Sequence, residues 1–217
     1  MNVYEAITAR RTIRDFQDRP IDRPVLHRIL DAGMKAPTNN HLREWYFVLV
    51  ESRAQRETLA RFFFTERTEV EVQELIAAWN MKVRSQVDMY LDAIPKQASM
   101  VIGAAALLVP CFLQRGDLLG PKESLHELNA FASMWTAIEN ILVAAASEGI
   151  FGVTKIIATP GERDHVRATL DIPDAYEIPC YLPLGYPAAD AVRHPQVPVA
   201  TADRLYVDRW GGRTPEI

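Results

Sequence analysis

The succession of elements along the chain predicts an α+β fold, with a central mixed sheet flanked by helices. Helical patterns come first, and apolar strand-like runs then alternate with helices at irregular spacing, unlike the regular βα repeat of a parallel α/β protein. A long segment, Ser124 to Glu148, is apolar on most of its faces and reads as a helix buried on several sides, either within the core or at a dimer interface. No internal repeat or low-complexity tract interrupts the chain. The 217 residues suit one domain, with a helical excursion at about 64–95 and an extended tail at about 188–217.

Each element has a local reason. Val3 to Ala9 reads as a short helix. Asp22 is a suitable N-cap and Pro24 a first-turn residue for a second helix, whose Leu26, Ile29, Leu30 and Gly33 follow helical spacing until Pro37 ends it. Trp45 to Val50 is aromatic and β-branched, hence a buried strand. Ser52 with Gln55 reads as a capping box for a helix carrying Leu59, Phe62 and Phe63. Phe64 to Ile94 is charged and helical in propensity, either a lid or a plain surface pair of helices. Ala104 to Pro110 is a second buried strand, and Gln114 to Glu123, with Gly116, Gly120 and Pro121, is a loop. Gly149 closes the long helix. Ile150 to Ile157 reads as a third strand, Thr159-Pro160-Gly161-Glu162 as a helix start, and Ile178 to Leu184 as a fourth strand. Leu205 to Trp210 is the candidate for a final edge strand.

Composition narrows the function. A net charge of −4 argues against nucleic acid as partner, because phosphate-backbone binding needs a clustered basic surface. The longest apolar stretch, Val101 to Cys111, falls short of the roughly 18 residues of a membrane span, so no membrane partner is expected. The start Met-Asn-Val-Tyr-Glu has no basic-then-apolar leader. Cys111 and Cys180 stand alone in apolar surroundings and read as buried free thiols, which points to a cytoplasmic location. The five histidines have no ligand spacing, so no metal is expected. Gly-x-Gly-x-x-Gly, Walker and Gly-x-Ser-x-Gly signatures are missing from the sequence.

Two polar clusters remain. Arg10-Arg11-Thr12-Ile13-Arg14-Asp15-Phe16 places three arginines and a hydroxyl within five positions of a mildly acidic chain. Arginine offers planar paired donors suited to phosphate, so the cluster is either a small-anion site or a solvated basic turn. Ala36-Pro37-Thr38-Asn39-Asn40-His41-Leu42-Arg43-Glu44-Trp45 joins a helix to a strand and is dense in donors and acceptors. It suits a pocket floor or plain turn chemistry.

Together these clusters resemble the FMN-dependent nitroreductase family. That family has an Arg-Arg-Ser-x-Arg-x-Phe element, then Ala-Pro-Ser-x-x-Asn-x-Gln-Pro-Trp before an aromatic strand. A long core helix with Gln-Asn…Ala…Gly-Leu is similar to Glu139-Asn140 through Gly149-Ile150, and a strand ending Gly-Tyr-Pro is matched by Gly185-Tyr186-Pro187. The resemblance implies a nitroreductase-like fold with a mixed or antiparallel sheet, an intertwined homodimer and bound FMN. It implies that Arg10, Arg11, Thr12 and Arg14 hold the phosphate and ribityl chain. Pro37, Thr38, Asn39 and His41 would reach the flavin from the partner, and Gly152, Val153, Thr154, Lys155 and Ile156 would pass the ring. Arg14 and Lys155 become candidates for tuning the flavin, with no other catalytic residue. The implied activity is ping-pong hydride transfer from NADH or NADPH, through flavin N5, to a small electron acceptor such as a nitroaromatic or quinone. Alternatives are an FMN-binding protein without turnover and a deiodinase-like reductive dehalogenase.

Three departures from the family pattern stand out. His41 replaces Asn, as in the deiodinase-like branch, and Arg43-Glu44 replaces Gln-Pro. The family's basic residue near the C-terminal tail has no counterpart among Gln196 to Ala202, and Arg193, His194 or Arg209 would have to serve instead. Gln86 and Tyr90 occupy the spacing at which deiodinase-type members carry Glu-x-x-x-Tyr, which disfavours dehalogenation.

Overall fold

The computed structural model describes residues 1–63 and 67–212. The first helix, α1 (Val3–Ala9), is closed at its start by a capping box between Asn2 and Glu5. Helix α2 (Arg23–Met34) follows Asp22 at the N-cap position, although the Asp22 side chain makes no capping bond. Strand β1 (Trp45–Val50) leads to α3 (Arg53–Ala60), where Ser52 accepts from the Gln55 amide. The excursion contains α4 (Glu69–Ala78) and α5 (Arg84–Ala93), held together by an edge-on pair between Trp79 and Tyr90 at 5.3 Å. Its first three residues, 64–66, lie outside the described residues. A short α6 (Gln97–Ile102) and Gly103 precede β2 (Ala106–Leu113), so the apolar run from Val101 divides between a helix end and a strand.

The long helix begins with a 3-10 turn at Leu125–Leu128, because Ser124 and Glu127 cap one another, and continues as α7 (Asn129–Ser147). By length and composition Leu125–Ser147 could cross a membrane. In this fold it packs on α2 and the sheet instead. Gly33 allows the close approach, since a Cβ there would sit 2.7 Å from Ile141 Cγ1.

The expected strand at 150–157 is two fragments, β3 (Phe151–Gly152) and β4 (Lys155–Ile156). They break at Val153–Thr154, and both pair with β6. Helix α8 (Pro160–Leu170) starts at Thr159, whose hydroxyl accepts from the Glu162 amide. Strands β5 (Tyr176–Glu177) and β6 (Cys180–Gly185) complete the sheet. Its order is β1-β2-β6-β3, with antiparallel ladders and a parallel bridge from Thr12 to Gly152. No edge strand forms at 205–210. That stretch is bends and turns, and the Tyr206 and Trp210 rings pack at 5.1 Å.

The pleat of β2 explains its continuous apolar sequence. Ala106, Leu108 and Phe112 face the layer containing α2 and α7, whereas Leu107, Val109 and Cys111 face the layer of α3, α6 and α8. A strand covered on both sides needs no polar alternation. Strand β1 is less buried than its sequence suggests, because it lies at the end of the sheet order. Only Trp45 and Val50 are fully covered. Arg56 is buried but satisfied, donating to the carbonyls of Val50 at 2.8 Å, Ile102 at 3.3 Å and Ala104. Both cysteines are free and buried, and burial pushes the Cys111 thiol up to about 11.

Candidate functional site

The arginine segment runs extended beyond α1. Thr12 bridges Gly152, the Ile13 amide donates to Gly152 O at 3.2 Å, and buried Ile13 packs with Phe151 and Ala146. Phe16 lies over Gly185, where a Cβ would come within 2.8 Å of the ring. The backbone is therefore fixed on both sides, while its three arginines diverge. Arg10 Nε lies 3.2 Å from Glu139 Oε1. Arg11 turns back to donate to Thr8 O at 2.7 Å and Arg10 O at 2.8 Å, covering carbonyls at the end of α1. Arg14 Nη1 meets Asp92 Oδ2 at 3.4 Å.

Arg10 lines a cavity. Thr12, Trp135, Ile138, Glu139, Leu142, Gly152, Val153 and Thr154 complete its wall, around about 210 Å³. One guanidinium, two hydroxyls and a glycine backbone form its polar part, and indole and aliphatic carbons form the rest. That donor set fits a phosphate ester carrying a flat apolar ring. Its volume falls below the ~300–1,000 Å³ of ordinary ligand pockets. Glu139 is the competing feature. Its side chain is 56% exposed, and an exposed pair of this kind is a weak one that a doubly charged phosphate would displace.

Arg14 belongs to a different environment. Its side chain is 8% exposed and that of Asp92 12%. Lys96 Nζ bridges Asp92 and, at 2.6 Å, Asp15, and His194 Nε2 lies 3.3 Å from Asp92. Burial pushes the Asp92 carboxyl up, but Lys96, His194 and Arg14 outweigh it and hold the group below its ordinary range. Burial pulls Lys96 down, but the two carboxylates leave it above its ordinary value. Arg14 is lowered by burial, against the pull of Asp92.

The loop from Pro37 to Trp45 is built separately. Asn40, His41 and Arg43 all take left-handed backbone angles, with φ of 52°, 57° and 47°. Asn and His are among the non-glycine residues that tolerate this region, which accommodates His41 in place of Asn. The strained turn is held by Thr136 Oγ1 donating to Pro37 O at 3.2 Å and the Asn39 amide donating to Ser133 Oγ at 3.3 Å. Arg43 Nε also donates to Met34 O at 3.1 Å. Thr38 and Asn39 line a second cavity, about 300 Å³, with Trp45, Gln114, Arg115 and Ser133. Pro37 and His41 are exposed beside it. The two cavities share no lining residue, so a single chain does not bring the loop to Arg10.

Lys155 and Ile156 do not line the Arg10 cavity. The strand break after Gly152 turns them away from the Arg10 cavity. Lys155 Nζ instead lies 2.5 Å from Glu162 Oε1, with both side chains nearly buried, and over the Phe63 ring at 4.7 Å. Ile156 is half exposed. Gly152, Val153 and Thr154 do reach the cavity.

Residues 7–186 match the family model described as "Nitroreductase family". The chain belongs to the nitroreductase family. A curated relative from Methanothermobacter thermautotrophicus, described as "Putative NADH dehydrogenase/NAD(P)H nitroreductase", is 26% identical over 97% of this chain and 88% of its own. Iodotyrosine deiodinase solved with FMN and 3-iodo-L-tyrosine superposes with a TM-score of 0.70 at 19% identity, covering 96% of this chain and all of the other. The NADPH:FMN oxidoreductase of Vibrio harveyi complexed with NAD+ gives a TM-score of 0.65 at 22% identity, covering 97% and 78%. At these identities the two solved structures establish the fold.

Within this nitroreductase fold, sequence reasoning missed Glu139 as a cavity residue and Asp92 as a centre of charge. Glu139 stands one turn beyond Trp135, so their shared helix face was readable. The Asp92–Lys96 spacing was visible too, but Arg14 lies 78 residues from Asp92.

Proposed function

We propose that this chain is an FMN-dependent oxidoreductase that works as a homodimer and passes hydride from NADH or NADPH to a small electron acceptor such as a nitroaromatic or quinone. The observation that carries the reading is the Arg10–Thr12–Gly152–Thr154 cavity, whose donor set suits a phosphate ester. When bound, FMN supplies the chemistry of accepting hydride and passing electrons on.

In this reading Arg10 holds the phosphate and Thr12 adds its hydroxyl, while Glu139 yields its place on Arg10. Arg193 is the best-placed second cation, with its guanidinium 5.2 Å from the ring of Phe151, the neighbour of Gly152. Trp135, Ile138 and Leu142 give the apolar wall, and Gly152 to Thr154 the backbone edge. Pro37, Thr38, Asn39 and His41 would serve the site of the partner. Two features support a dimer: the small cavity, and the exposed apolar face of α1, where Val3 is 60% and Ile7 51% exposed beside Val143 and Ala144 of α7. The dehalogenating alternative is weaker, because Gln86 stands in place of the lid carboxylate and Tyr90 is packed against Trp79.

Titration with FMN, followed at roughly 450 nm, tests the cofactor. Anaerobic addition of NADH or NADPH should then bleach the band, and a quinone should restore it. FMN uptake without bleaching would favour a binding protein without turnover, and no uptake would overturn the reading.

A further inference from the structure

The Asp92 cluster contains four fixed charges in balance, Arg14 and Lys96 against Asp15 and Asp92, with His194 as a fifth member. Its members come from the arginine segment, the end of the excursion and the C-terminal tail. At its centre the Arg14 and Asp92 side chains are almost fully covered, while Lys96 and Asp15 at its edge keep about a quarter to a third of their surface open. Tyr90, on the same helix as Asp92, also faces Arg14. Two residues before Arg14, Thr12 lines the Arg10 cavity and bridges Gly152. Thr12 and Arg14 share one extended segment, so the covered Arg14–Asp92 pair is anchored two residues from the cavity wall, and charge interactions through protein are stronger than through water.

We propose that Asp92 and Lys96 are positioning residues that fix the Arg14 guanidinium and set the net charge it presents to the cofactor cavity. This role rests on the FMN reading. Asp92 neutralises Arg14 and holds it from the excursion, and Lys96 in turn limits how strongly Asp92 does so. Reduction adds negative charge to a bound flavin, so the balance at Arg14 bears on how easily reduction occurs. Removing the carboxylate leaves an excess positive charge that favours reduction, and removing the ammonium leaves an excess negative charge that opposes it. The cluster also ties the excursion and the tail to the arginine segment, so loss of the Asp92 carboxylate loosens α5.

The test compares Asp92→Asn, Asp92→Glu and Lys96→Gln with the wild type. The midpoint potential of bound FMN should rise in D92N and fall in K96Q, each by about a tenfold change in equilibrium constant, or roughly 30 mV for a two-electron couple. D92E, which keeps the charge, should stay near the wild type. Opposite signs are the signature, because mere loosening would move both substitutions the same way. In the protein without FMN, hydrogen exchange should quicken about tenfold at the Ile13 amide and along α5 in D92N. Unchanged potentials, shifts of one sign, or faster exchange with no change in potential would overturn the role. If D92N does not fold, a lowered potential in K96Q with D92E near the wild type and no quickened exchange along α5 in K96Q supports the role, and an unshifted or raised potential in K96Q overturns it. Failure of the wild type to take up FMN would end both readings, whereas normal uptake with unshifted potentials would end this one alone.

Discussion

Arg10 and Arg14 stand four residues apart on one extended segment and are used in opposite ways. Arg10 faces a cavity, and its partner Glu139 is an exposed carboxylate on α7. Arg14 is enclosed with Asp92, Lys96, Asp15 and His194, where each charge has an opposite neighbour. The difference teaches what makes a charge available for binding. A weakly held, half-open guanidinium can exchange its partner for a ligand. One inside a satisfied network is not free to do so, because leaving breaks a contact with a carboxylate that is itself almost fully covered.

The sharpest way to break that comparison is substitution of the arginines in turn. Arg10→Ala should weaken FMN binding by about a hundredfold, the scale of a lost charge-assisted phosphate contact. Arg11→Ala, whose bonds go to backbone carbonyls, should change it less than about threefold by the same reasoning. Fluorescence titration with FMN reads both, and equal losses would erase the distinction drawn between them.

Next in size is Gly152→Ala, which disturbs the backbone shared by the two regions. A Cβ there would lie 2.4 Å from Pro183 O and 2.5 Å from Leu184 Cδ2. Overpacking of this kind should cost about 1–3 kcal/mol in urea unfolding. It should also weaken FMN binding, because Thr12 pairs with the displaced residue.

A smaller effect is the acid response of the enclosed cluster. The folded Asp92 carboxyl is held below its ordinary range, so its contribution is present above the unfolded value near 3.9 and is lost as pH falls through the lower folded value. Urea unfolding between about pH 2 and 5 should therefore show a steeper loss in the wild type than in D92N. Lys96 is shifted the other way. Its contribution is present below about pH 10.4 and is lost only as pH rises beyond the folded value.

The smallest expected effect belongs to Glu139→Gln. Removing the competing carboxylate should strengthen FMN binding by about threefold, in keeping with an exposed pair. Weaker binding would mean that Glu139 helps to hold Arg10 in place.

These contrasts also show how far the sequence could be read. Val3–Ala9 and Trp45–Val50 were predicted with their observed limits, because a short helix and an aromatic, β-branched strand are set by local chemistry. The segment at 150–157 misled because Gly152 and Lys155 lie on two strand fragments separated by a break at Val153–Thr154, a feature of tertiary pairing. Leu205 to Trp210 has strand composition, but no strand forms there. In the candidate site, residue types were legible and destinations were not. Three arginines in five positions read as one fork, whereas Glu139, the α1 carbonyls and Asp92 draw them in three directions. Lys155 likewise follows Glu162, its neighbour across the start of α8.

The most direct measurement compares FMN with riboflavin, the same ring system without the phosphate, as ligands of the wild-type protein. If Arg10 and Thr12 form the phosphate site, FMN should bind about a hundredfold more tightly, and Arg10→Ala should abolish most of that preference. Equal affinity for the two, or a preference that survives R10A intact, would contradict the account.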